Sequence, residues 1–410
     1  MNISNSREVS QMILQFSCSN HKSIKEKVTF SAIASSDNTF EETLKSFGNM
    51  RVLRSAVIYG ANGSGKSNFI DALEFMCHLV SESIKHQPGQ EIFQAPHKLT
   101  SKDIPSEYDM QFVKNDVRYA YGFTIERNAV SSEYLYYFPN GRQVKIFERE
   151  RDEIRPGDKY KNAFDVSLGI LKENRLFLSC AANYTNIKEI EDAFLFFRQD
   201  IVVYNPHVNN WTEYSINLMQ KNAEVKDIRI KMEKTRLNEK DLPSDMPDTL
   251  KAFISSQEAN MIEAKIIYDR FETDLMSEES TGIKKLFEII CPIIDIINNE
   301  KILVCDEIET GLHETIVHQI VDLFHNARKD KFAQLIFSTH DTSLLDSKLF
   351  RRDQVWFTQL DKERATDLYS LLEIKNVRKT ENLEKGYISG KYGAIPLLNK
   401  NFSFEDATKE

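Results

Sequence analysis

Apolar residues fall into two rhythms along the chain. Short runs at 12–16, 28–32 and 56–59 have the length and polar flanks of strands, and Asn20, His21, Lys22 and Ser23 turn the chain between the first two. Ala56, Val57, Ile58 and Tyr59 lead straight into a glycine-rich stretch. Beyond it Phe69, Ile70, Leu73, Phe75, Met76 and Leu79 recur at helical spacing, which predicts strand, loop and helix in succession. Alternating polarity at 107–112 and 117–125, around Lys114, Asn115 and Asp116, predicts one hairpin; 134–138 and 144–147, around Pro139, Asn140 and Gly141, predict a second in the same antiparallel sheet. Helical and mixed segments are expected over 163–219, a charged surface insertion over 225–241, and an amphipathic helix with a solvated charged face over 249–275. Two later apolar runs, 301–305 and 334–339, read as buried strands that end in Asp306-Glu307 and His340-Asp341.

This succession predicts an α/β fold: a mixed-sheet core that carries the glycine-rich loop, an antiparallel β subdomain and a helical insertion. The expected divisions are 1–160, 161–275 and 276–410. At 410 residues the chain can bury a large core. No apolar stretch reads as a membrane span, and the N-terminus has no basic region followed by an apolar stretch and cleavage site, so a cytoplasmic protein is expected. Five cysteines, Cys18, Cys77, Cys180, Cys291 and Cys305, lack metal-binding spacing and read as reduced core thiols. A net charge of -9 disfavours a dedicated nucleic-acid binder while leaving room for a local basic patch.

The candidate chemistry begins at Gly60, Ala61, Asn62, Gly63, Ser64, Gly65, Lys66 and Ser67, followed by Asn68, which fits GxxxxGK[ST]. Glycines there let backbone N–H groups converge on phosphates while the next helix offers the positive end of its dipole. Lys66 is expected to reach the β and γ phosphates of ATP, and the Ser67 hydroxyl to ligate Mg2+. Downstream, Asp306 is expected to bind the metal through water, and Glu307 to orient or deprotonate the attacking water. His340, one helix and one strand later, is placed to sense the γ-phosphate.

Three further stretches are less decided. Glu279, Ser280, Thr281 and Gly282, ahead of an apolar helix, read either as an ordinary N-cap or as the signature that contacts a nucleotide held by a second subunit, with Ser280 and Gly282 as its contacts. Glu309, Thr310, Gly311, Leu312 and His313 resemble, by their place after the second acid, the loop that crosses the same interface in ABC-type ATPases. Gln87, Gln90 and Gln94 are all candidates for a glutamine loop, and their surroundings do not separate them.

Together these residues resemble the AAA family ATPases of the abortive-infection AbiL and RloA type, relatives of the OLD, RecF and SMC heads within the ABC-like ATPases. The resemblance runs from about residue 12 to about residue 400. It includes Asn20 to Ser23, the Tyr59 to Asn62 entry to the loop, Glu279-Ser280 with Gly282, Leu312-His313, Arg352 to Phe357, and Tyr387 to Pro396. Ile283 stands where the family commonly has Thr, and Gly311 where it has Ser. Tyr387 to Pro396 offers no catalytic group and suits a tight packed turn or a partner contact.

The resemblance implies an ATPase that dimerises around ATP, or forms a higher homo-oligomer, and serves as sensor or regulator of a separate, nuclease-like effector in anti-phage defence. No Toprim domain or cluster of His and Cys is seen, so the chain is expected to lack a nuclease of its own. The alternative is a DNA repair or chromosome-maintenance ATPase that clamps DNA, for which nucleic acid would be the partner.

Overall fold

The computed structural model describes residues 11–101, 104–221, 228–236, 251, 258–326, 331–378 and 381–395. In chain order its first strands are β1 (Met12–Ser19), β2 (Val28–Ser31), β3 (Leu44–Phe47), β4 (Met50–Leu53) and β5 (Ser55–Tyr59). Next come β6 (Ser106–Lys114), β7 (Val117–Glu126), β8 (Ala129–Phe138), β9 (Val144–Glu150), β10 (Glu153–Pro156) and β11 (Ile201–Tyr204). The last are β12 (Ile228–Arg236), β13 (Glu258–Ile267), β14 (Glu272–Asp274), β15 (Ile302–Cys305), β16 (Gln334–Ser338), β17 (Val355–Leu360) and β18 (Thr366–Ser370). The helices are α1 (Lys66–Glu82), α2 (Asp165–Ile170), α3 (Phe177–Tyr184), α4 (Lys188–Leu195), α5 (Thr212–Lys221), α6 (Thr281–Asn298), α7 (Glu314–His325) and α8 (Leu383–Ile388).

Two compact units result: Met1–Asn209 with Ile296–Glu410, and Asn210–Asp295. Within the first, period-two patterning builds a seven-stranded antiparallel sheet in the order β10-β9-β8-β7-β6-β1-β2. Alternate residues Tyr108, Met110 and Phe112 of β6 are buried, and Asn115 and Asp116 both take positive φ, as a two-residue hairpin turn requires. Both predicted hairpins lie in this sheet. The second sheet, β11-β15-β16-β5-β17-β18, is parallel except where β18 returns against β17. Its strands β5, β15 and β16 are buried along their whole length, so they read as unbroken apolar runs. One hydrophobic core serves both sheets, with Phe69 of α1 packed edge-on to Phe16 and tilted against Phe30.

The second unit holds a three-stranded antiparallel sheet, β12-β13-β14, and Ala264 of β13 shares a small core with Leu275, with Ile216 and Met219 of α5 and with Phe287 of α6. The helix expected over 249–275 is therefore corrected where the residues are described: 258–267 is a strand, while 252–257 lie outside the described residues. Residues 258–267 are rich in helix-forming Glu, Ala, Met and Lys, yet Glu258–Arg236 through Ile266–Ile228 pair in register, and cross-strand pairing overrides local propensity. The segment 163–219, read as helical and mixed, also contains β11, which adds to the edge of the parallel sheet beside β15. Of the charged stretch over 225–241, the residues 228–236 form β12 and the others lie outside the described residues. No described helix is long and apolar enough to cross a membrane.

Candidate functional site

Parallel pairing aligns the C-terminal ends of β5, β15 and β16, where ligands of open α/β sheets collect. From β5 the chain enters 60–65 and then α1. Gly63 and Gly65 have φ of +75° and +105°, and a Cβ on Gly65 would lie 2.7 Å from Cγ2 of Thr366, so this turn needs glycine on both conformational and steric grounds. Thr366 in β18 also straps the loop. Asn68 Nδ2 donates to Ser23 Oγ (2.6 Å), Ser23 lies 2.7 Å from Thr366 Oγ1, and Thr366 Oγ1 donates to the Ser64 carbonyl (3.0 Å). Because the Thr366 proton goes to Ser64, the Ser23 hydroxyl must donate to Thr366, which makes one directed chain. Ser64 Oγ is tied to Thr358 Oγ1 of β17 at 2.6 Å.

Asn62 to Asn68 line one side of a cleft of about 460 Å³, and Glu307 and His340 line the other. Lys66 crosses it. Its Nζ donates to the Gly60 carbonyl at 3.0 Å and lies 3.0 Å from His340 Nε2. Burial pulls the Lys66 ammonium below its ordinary pKa, against the pull of Glu307, Asp306 and Glu309. The His340 backbone N–H is held by Glu309 Oε1 (2.6 Å), which fixes the ring's approach.

Asp306 is buried at the end of β15; its Oδ1 accepts from Ser338 Oγ at 2.5 Å, and the same Oγ accepts from the Glu307 N–H at 2.8 Å. Glu307 has a φ of +46°, an unusual conformation for a non-glycine residue, which the surrounding hydrogen bonds sustain. Its carboxylate faces two imidazoles: Oε2 is 2.9 Å from His207 Nε2, and Oε1 is 3.4 Å from His340 Nε2. The His207 hydrogen bond first, then His340 and Lys66 nearby, hold this carboxyl below the usual glutamate range despite partial burial.

Ser67 also lines the cleft. The Ser67 hydroxyl and the Asp306 carboxylate are hard oxygen donors of the type magnesium takes, and among the described residues no group of three or more His, Cys, Asp and Glu could form a protein cage. The residues fit a metal that completes its shell with phosphate oxygens and water. Ser280 and Gly282 belong to the second unit, where Ser280 Oγ accepts from the Ile283 N–H at 3.3 Å ahead of α6. Gln87, Gln90 and Gln94 do not line the cleft: Gln87 and Gln90 bond to each other, and their carbonyls accept from Asn174.

The other motif residues are accounted for by packing. His21 bridges Tyr108 and Asp71 of α1 at 2.7 Å each. Asp353 accepts from Ser35 and Arg351, and Gln354 Nε2 donates to Ser55, so this motif anchors β17 beside β5. His313 caps α7. Tyr387 stacks on Phe357 (centroids 5.6 Å apart) and its hydroxyl donates to the Ala394 carbonyl, the tight packed turn expected; Pro396 lies outside the described residues.

Residues 55–346 match the family described as "AAA domain, putative AbiEii toxin, Type IV TA system". The chain belongs to this family. Its fold is α/β, with the P-loop between β5 and α1 and a mixed sheet behind it. No curated protein matches the chain significantly. Among solved structures it is similar to an SMC head bound to the C-terminal winged-helix domain of ScpA, at 14% identity over 87% of this chain and 97% of that one, with a TM-score of 0.38. It is similar also to the SMC head domain from Thermotoga maritima, at 15% identity over 87% of this chain and 98% of that one, with a TM-score of 0.37.

Sequence reasoning passed over His207, Thr358 and Thr366. His207 was legible in part, since Ile201-Val202-Val203-Tyr204 is a β-branched run ending in polar residues, the same pattern that marks β15. Thr358 and Thr366 carry no such signal, because only the return of β17 and β18 beside β5 brings them to the loop.

Proposed function

We propose that this chain binds and hydrolyses ATP with Mg2+, closes as a homodimer around the nucleotide, and by doing so regulates a separate effector in abortive-infection defence. The observation that carries the reading is the convergence of Lys66, Glu307 and His340 on one cleft beside the loop 60–68. Backbone N–H groups of the loop and the start of α1 bind the phosphates, and Lys66 supplies positive charge to the β and γ oxygens. Ser67 and, through water, Asp306 hold the metal, which when bound neutralises charge developing on the phosphates. Glu307 takes the proton of the attacking water or orients it, while His340 donates to the γ-phosphate and registers its departure.

Dimer closure rests on Ser280, exposed, and Gly282, half-buried, at the start of α6, a helix N-terminus that suits a contact with a phosphate held by the second copy. The regulatory role needs only that ATP bind the closed state more tightly than the open one. The effector role draws support from the family description, which names a toxin–antitoxin system.

Steady-state ATP hydrolysis over a range of protein concentrations tests the reading, beside Lys66→Ala and Glu307→Gln. Turnover per chain should rise with concentration and disappear in both variants. Turnover that survives in Glu307→Gln, or is independent of concentration, overturns the assigned base or the composite site respectively.

A further inference from the structure

Strand β11 lies beside β15 in parallel register, Tyr204 opposite Cys305, and the Asp306 N–H donates to the Tyr204 carbonyl at 2.9 Å. The chain therefore leaves both strands at the same end of the sheet. Three residues beyond Tyr204 stands His207; two beyond Cys305 stands Glu307. The turn that carries His207 is closed on itself: the His207 N–H donates to Asn205 Oδ1 (3.0 Å), the Asn205 N–H to Asn209 Oδ1 (2.8 Å), and the Asn209 N–H to the Asn205 carbonyl (2.8 Å). Such local side-chain bonds give a loop a defined shape without a helix or strand. The ring is thus presented by a built turn to a carboxylate 2.9 Å away.

We propose that His207 is a positioning residue for Glu307, holding its carboxylate by donating a hydrogen bond from Nε2 so that the other oxygen faces the cleft. The proposal rests on the reading of Glu307 as the group that handles water. An ionised carboxylate only accepts hydrogen bonds, so Nε2 of His207 must carry the proton. With Oε2 engaged there, the carboxylate cannot swing away without losing this hydrogen bond, and Oε1 lies 3.4 Å from His340 Nε2 on the cleft side. This matters because Glu307 sits at a positive φ and a glutamate side chain has several staggered rotamers among which a fixed partner selects. Outer partners that orient metal ligands are typically worth about 10–100-fold, and the low end of that range is the effect expected of this one hydrogen bond. His207 itself touches no assigned nucleotide ligand and does not line the cleft.

The test compares the full chain with His207→Phe, which keeps a planar ring and removes the donor, and with His207→Gln, whose amide nitrogen reaches to about the same place. His207→Phe should lower kcat about tenfold, with ATP affinity, measured by titration calorimetry, unchanged within about twofold. His207→Gln should recover most of the loss. A second readout needs no turnover: the ring 15N shifts of His207, assigned by their loss in His207→Phe, should show a protonated Nε2 in the wild type and change in Glu307→Gln. Wild-type turnover that needs Glu307 but is untouched by His207→Phe overturns this inference and leaves the ATPase reading standing. If the wild type turns over no ATP, that reading fails, and ring shifts indifferent to Glu307→Gln then overturn the hydrogen bond as well.

Discussion

At the scale of single residues, burial sets the behaviour of His325. It lies under the parallel sheet with Nε2 2.6 Å from Ser55 Oγ, and desolvation first, then the charge of Arg54, pushes its pKa down from 6.5 to about 4. The folded protein therefore binds fewer protons here than the unfolded chain between those values, so stability is complete above the unfolded pKa and falls as pH drops through the window. The loss amounts to roughly 3 kcal/mol if the whole shift is realised. Thermal unfolding followed from pH 7 to pH 4.5 should show a shallower decline for His325→Gln than for the wild type. Equal slopes would place the acid sensitivity elsewhere. At the same scale Gly65→Ala should abolish ATP binding while the protein stays folded, because a Cβ there meets Thr366 and strains a φ of +105°; binding within twofold of the wild type would show that the loop tolerates the shift.

Between elements, the loop 60–68 is held from outside itself. Thr366 links Ser23, near the start of the chain, to the Ser64 carbonyl. Thr366→Val keeps the shape and removes the hydroxyl; it should cost about 1–2 kcal/mol of stability by leaving buried partners unpaired, and weaken ATP binding severalfold. Denaturant melts and calorimetry measure the two effects separately, and unchanged affinity would mean the strap serves folding alone. The second unit offers a complementary test. Ala264 is fully buried in the small core over β13, so Ala264→Asp should bury an unpaired charge and melt that core. Limited proteolysis should then cut within 210–295, while ATP affinity of the first unit stays within about twofold. Cuts spread over both units would show that they fold as one.

For the whole molecule, a composite site predicts that nucleotide and oligomeric state are linked. Glu307→Gln, which keeps ATP bound by preventing its hydrolysis, should sediment as a dimer in ATP and as a monomer in ADP, and Ser280→Arg should abolish the ATP-bound dimer while leaving ATP affinity per chain nearly intact. A Glu307→Gln protein that is monomeric in ATP would remove the trans contact from the mechanism. In cells, the proposed defence role predicts that the native locus lowers phage plaquing efficiency and that Lys66→Ala restores it; a locus that leaves plaquing unchanged overturns that role, and a lowering that survives Lys66→Ala would separate defence from ATP binding.

The sequence by itself determined the parts of this protein whose physics is local. A buried parallel strand is an unbroken apolar run, and a phosphate loop needs glycines, Lys66 and Ser67 at fixed places, so β5, β15, β16 and the residues at their ends were readable in order. The hairpin at Asn115-Asp116 was readable too, since few residue pairs accept two successive positive φ values. Tertiary structure alone decided what depends on distant segments meeting. The stretch 258–267 became a strand because β12 offered it a partner, against its own helical composition. Thr358 and Thr366 reached the loop because β17 and β18 add to the sheet beside β5. His207 met Glu307, a hundred positions away, because β11 and β15 share a register. Side-chain periodicity records which face of an element is buried; which other element covers that face is set by the assembled sheet.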